Sequence, residues 1–67
     1  MLTLTVNGRK MELDESISGR ELLSRLDQNG ATLVIERNGQ ILPLVEFLDS
    51  QLGDGDVLEL VTLVGGG

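Results

Sequence analysis

The chain has 67 residues, no cysteine and no histidine, and its 11 acidic and 5 basic residues leave a net charge of −6. That length accommodates one domain with little surplus core. The missing His and Cys exclude disulfide frameworks, the usual zinc sites, Cys–His pairs and Ser–His–Asp triads, and the acidic balance argues against nucleic acid and anionic membranes, which demand clustered Lys and Arg.

Leu2, Leu4 and Val6 alternate with Thr3 and Thr5, the period-2 pattern of a strand. Asn7-Gly8 is a strong short hairpin signal, and Arg9–Leu13 alternates again as the return strand, with Met11 and Leu13 toward the core. After the polar connection Asp14-Glu15-Ser16, Ser18 is the candidate N-cap of a helix. Glu21, three residues on, completes a capping box, and Ile17 and Leu22 occupy the staple positions. The helix is expected over about Gly19 to Asn29, with Leu22, Leu23 and Leu26 as its apolar stripe and Asn29-Gly30 as a left-handed stop. So short a helix is marginal alone and must pack on a sheet.

The run Leu33-Val34-Ile35 within Thr32–Arg37 reads as a strand with two apolar faces. Asn38-Gly39 marks a second hairpin, returning through Gln40-Ile41-Leu42 until Pro43. Segment 43–52, which contains Val45, Phe47 and Leu48, fits a helical turn or an irregular loop equally well. Gly53-Asp54-Gly55-Asp56 is a tight turn. Its aspartates do not make a calcium loop, which needs a longer ligand series. Val57–Val64 is the last strand, apolar on both faces except for Glu59 and Thr62, so it belongs in the middle of the sheet beside the first. The order β-β-α-β-β-β makes an α+β fold, a mixed sheet with one helix packed on one face: the β-grasp arrangement. Residues 1–64 form the domain, and Gly65-Gly66-Gly67 form a flexible tail.

One sheet face takes the helix, yet the third and last strands are apolar on both. Val34, Val57, Val61 and Leu63 are therefore expected to lie uncovered unless the Val45–Leu48 segment folds over them, and an uncovered apolar patch marks a partner site. No apolar run approaches the roughly 20 residues of a membrane span. Met1-Leu2-Thr3-Leu4 does not read as a signal peptide, so a cytoplasmic location is expected.

The glycine tail suits entry into another enzyme. Glycine lacks a Cβ, so it fits a narrow channel and takes whatever backbone geometry the channel demands. Extended, Val64–Gly67 reaches roughly 13 Å at about 3.3 Å per residue, enough to put a terminal carboxylate inside a partner while the domain stays outside.

A β-grasp domain of this length with this ending resembles the ThiS-type sulfur carrier proteins of thiamin biosynthesis. Leu63-Val64-Gly65-Gly66-Gly67 carries most of the likeness. Val34-Ile35-Glu36-Arg37-Asn38, Leu22-Leu23 and Asp54-Gly55-Asp56-Val57 also fit. The resemblance implies a protein cosubstrate, not an enzyme, with no bound cofactor or metal. A ThiF-type adenylyltransferase would use ATP to activate the Gly67 carboxylate, with Gly65 and Gly66 threaded into its active site. A persulfide sulfur donor, charged by a cysteine desulfurase, would turn the adenylate into a thiocarboxylate, and a thiazole synthase would take up the sulfur. Molybdopterin-type carriers and ubiquitin-like modifiers share the diglycine ending, although they are usually longer. A carrier for molybdopterin, cysteine or another sulfur metabolite, a ubiquitin-like modifier and a plain β-grasp binding module therefore stand as alternatives.

Overall fold

The computed structural model describes residues 1–28 and 32–63. Among them the elements are β1 (Leu2–Val6), β2 (Arg9–Leu13), α1 (Gly19–Arg25), β3 (Leu33–Arg37), β4 (Gln40–Leu42), α2 (Leu44–Asp49) and β5 (Val57–Thr62). The strands form one mixed sheet in the order β2-β1-β5-β3-β4. β5 is central, parallel to β1 and antiparallel to β3. This is the ubiquitin-like β-grasp fold, with the last strand beside the first as its apolar character requires.

Both hairpins form where Asn-Gly stands. Asn7 and Gly8 have φ of 51° and 81°, and Asn38 and Gly39 have 51° and 85°. Two successive positive φ angles define the type I′ turn, whose twist matches that of the strands it joins. Strand alternation then sorts the side chains. Leu4, Val6, Leu13, Leu33, Ile35, Leu58 and Leu60 are buried on the inner face, where Leu22 and Leu23 of α1 cover them.

The start of α1 matches expectation in part. The Ser18 hydroxyl accepts the Glu21 N–H at 3.1 Å, and Ile17 and Leu22 are both buried. The Glu21 carboxylate faces Arg25 at 3.6 Å, one turn along the helix. The end of α1 comes earlier than Asn29. Asp27 adopts φ 58°, its N–H donates to the Ser24 carbonyl at 3.1 Å, and the Gln28 N–H donates to the Leu23 carbonyl at 2.8 Å. This paired bonding is a Schellman stop, with a short polar side chain in the left-handed position that glycine usually takes. The expected stop at Asn29-Gly30 lies outside the described residues.

Segment 43–52 contains a short helix, α2, capped by Pro43 without a side-chain bond. It sits on the same face as α1, because Phe47, the sole aromatic, is fully buried in the common core. Gly19 is what lets the two helices meet: a Cβ there would strike the Phe47 carbonyl oxygen and lie 2.8 Å from the Phe47 ring. Residues 17–19 also pair with 50–52, through Gly19 N–H to Ser50 O and Leu52 N–H to Ile17 O, each at 2.9 Å. Among the described residues no helix is long and apolar enough to cross a membrane.

Candidate functional site

β5 leads toward the glycines, and it is gripped from both sides. On the β1 side, the Thr5 and Asn7 N–H groups donate to the carbonyls of Asp56 and Leu58, both at 2.9 Å. β1 then turns away at Asn7-Gly8, but the Asn7 side chain continues the ladder. Its Oδ1 accepts the Leu60 N–H at 2.7 Å, and its Nδ2 donates to the Leu60 carbonyl at 3.3 Å. On the β3 side, Asn38 acts in the same way at the other end of the strand. Its N–H donates to the Val57 carbonyl at 2.8 Å, and its Oδ1 accepts the Val57 N–H at 2.9 Å. Leu63, the last residue before the undescribed end, still donates its N–H to the Thr32 carbonyl at 2.9 Å. Each hairpin asparagine thus serves twice, in its turn and on β5.

A polar knot anchors the entry to β5. Asp56 is the one buried charged side chain among the described residues. Its Oδ2 receives Arg37 Nη2 at 2.7 Å, Arg37 Nε at 3.1 Å and the Gly53 N–H at 2.9 Å, while Oδ1 receives Asn38 Nδ2 at 3.0 Å. Arg37 Nη2 also reaches the Gln51 carbonyl at 3.1 Å. Burial by itself raises the Asp56 carboxyl pKa; the bonds from Gly53, Asn38 and Arg37, with the Arg37 charge, outweigh it and hold the group below its ordinary value. Two segments that carry the family likeness, Glu36-Arg37-Asn38 and Asp54-Gly55-Asp56-Val57, therefore meet at one carboxylate. Asp54 is occupied too, accepting the Thr3 N–H at 2.7 Å.

Among the described residues, nothing covers the outer sheet face. The Val45–Leu48 segment lies across the opposite face, so Val61 and Leu63 are each about half exposed and Val57 nearly so. Val34 is half-buried and directly opposite Val61. Val34, Val61 and Leu63 gather toward the glycine end, whereas Val57 stands apart at the start of β5, beyond Glu59. Two features escape a reading by strand alone. Ile41 on β4 is 73% exposed and joins this face through its pairing with Glu36. Glu36 in turn pairs directly with Glu59. Gly65, Gly66 and Gly67 lie outside the described residues, as does Val64, which the sequence places in the last strand.

Comparison with known proteins bears on the whole length. The model of the ThiS family matches residues 4–67. An uncharacterized protein, ycf40, of Pyropia yezoensis is 36% identical over 66 residues, covering 98% of this chain and 93% of that protein. A thiazole synthase of Paramagnetospirillum magneticum is 32% identical over 66 residues, which cover 98% of this chain but 20% of the synthase. The crystal structure of a thiamine biosynthesis protein, ThiS, from Geobacter metallireducens superimposes with a TM-score of 0.79 at 38% identity, covering 98% of this chain and all of that one. With the family model matching from the first strand through the terminal glycines, the chain belongs to the ThiS family.

Proposed function

We propose that this protein is a cytoplasmic sulfur carrier for thiazole formation in thiamin biosynthesis, acting as a cosubstrate through the carboxylate of Gly67. The observation that carries the reading is the family match, which runs through residue 67 and so includes the glycines. The mount provided by β5 supports it. A strand held on both flanks presents its continuation from a fixed origin, which favours delivery of a thin tail into a partner.

The chemistry belongs to the partners. In a ThiF-type adenylyltransferase, the Gly67 carboxylate attacks the α-phosphorus of ATP. Pyrophosphate leaves, and a mixed anhydride replaces a poor electrophile with a good one. A persulfide, charged by a cysteine desulfurase, adds its terminal sulfur to the acyl carbon and expels AMP. A second thiol then cleaves the S–S bond, leaving a Gly67 thiocarboxylate and a disulfide. A thiazole synthase accepts the sulfur. A domain like this one makes up a fifth of the Paramagnetospirillum thiazole synthase, which supports such an enzyme as the acceptor. Val34, Val61 and Leu63, with Val57 further along β5, are the surface we assign to docking, because they share the open face, the first three toward the end of β5 that is nearer the glycines in sequence.

Intact mass spectrometry tests the reading. After incubation with ATP, a ThiF-type adenylyltransferase, a cysteine desulfurase and cysteine, the chain gains the difference between one sulfur and one oxygen atom. An unchanged mass with active partners overturns the carrier reading in favour of a binding module, and conjugates of higher mass overturn it in favour of a modifier.

A further inference from the structure

The outer face is not simply apolar. Glu36 of β3 and Glu59 of β5 are directly opposed across two adjacent inner strands of the sheet, with Cβ atoms on the order of 5 Å apart. Opposed like charges destabilise a sheet, and no salt bridge among the described residues involves either carboxylate. The ion pairs among the described residues are Arg20–Asp49, Arg25–Glu21 and Arg37–Asp56. Lys10, the one cation on the strands of this face among the described residues, belongs to edge strand β2 opposite Thr5, with β1 between it and β5. Around the two carboxylates stand Val34 and Val61 on one side, Val57 on the other and Ile41 beside Glu36. The pair is therefore an anionic centre with apolar side chains along both strands and on the β4 side, and with the Asn7-Gly8 turn on the β1 side.

We propose that this face is the docking surface for the adenylating partner, and that the partner seats an arginine between Glu36 and Glu59, beside the apolar side chains of Val34, Val61 and Ile41. The inference rests on the carrier reading and specifies how the partner recognises the domain. Charge complementarity selects the occupant. Two carboxylates side by side accept the fork of a guanidinium, and the apolar neighbours, once covered by the partner, shield that bond from water as the surround of an interface hot spot does. An anionic polymer or membrane is repelled by the same pair. Geometry limits where the arginine lies in the partner. The eight backbone steps from Glu59 to Gly67 span at most roughly 29 Å when extended, so the arginine is within about that distance of the α-phosphorus of ATP.

Steady-state pyrophosphate release with varied carrier, together with thermal unfolding, tests this. In E36Q/E59Q the KM for the carrier rises about tenfold or more with kcat unchanged, while Tm stays level or increases because the repulsion is gone. Glu59→Lys is sharper: it faces Glu36 with an opposite charge and stabilises the fold, yet opposes the partner's arginine and raises KM further. A purely structural role for the pair predicts lower Tm instead. Unchanged KM in both variants, with the wild type adenylated normally, overturns the docking inference and leaves the carrier reading intact. A wild-type chain that is never adenylated overturns both.

Discussion

The Asn7 side chain and the Leu60 backbone are joined by two hydrogen bonds although 53 positions separate them in sequence. The contact replaces the ladder that β1 would have continued had it not turned at Gly8.

Its contribution is separable from the turn. Asn7→Gly keeps the positive φ at no steric cost but removes both bonds and leaves the Leu60 N–H without its acceptor. The variant is expected to lose about 1–2 kcal/mol in denaturant unfolding. Amide exchange at Leu60 should accelerate more than at Ile35, on the neighbouring strand.

Asp56 makes stability depend on acidity. Its folded-state pKa is depressed, so the stabilisation is fully present above the unfolded value of about 3.9 and is lost as pH falls through the lower folded value. Asp56→Asn should cost about 2 kcal/mol at neutral pH and flatten the acid limb of a stability–pH curve. A wild-type curve with no decline on the acid side that this substitution removes would contradict the assignment.

Gly19 has no room for a side chain. Gly19→Ala usually favours a helix, but here the Cβ meets the Phe47 carbonyl and ring. The two helices must separate, at an expected cost of about 3 kcal/mol. Thermal unfolding reads the result, and a stabilised variant would refute the close approach.

Deleting Gly66 and Gly67 should abolish adenylation while leaving Tm unchanged, because glycine carries no side chain into the core. Pyrophosphate release and a thermal melt distinguish this from a folding defect.

Much of the fold is legible in the chain because its signals are local. Two Asn-Gly pairs set two hairpins, Ser18 starts α1, and the two-faced apolar pattern of β5 assigns it to the centre. What escapes depends on distant partners. Asn7 and Asn38 read only as turn formers, since their bonds to Leu60 and Val57 cross 53 and 19 positions. Six residues of α2 are too few to show a helical period, and Phe47 settles the matter only by entering the core. The stop at Asp27 is hidden because Asn29-Gly30, two residues later, is the stronger textual signal. For the candidate site, the open apolar strip follows from strands that are apolar twice over. The opposition of Glu36 and Glu59 follows only from the β3–β5 register, which no single strand reveals. The glycines themselves lie outside the described residues, so their role rests on the family match.

The central position of β5 also has a mechanical meaning. Tension applied at Leu63 along the strand must slide it past β1 and β3 together, because its backbone is bonded to both. The bonds are then loaded in shear as a set rather than unzipped singly. A partner that tugs on the end of this chain pulls on a handle, and the handle is built to slip last.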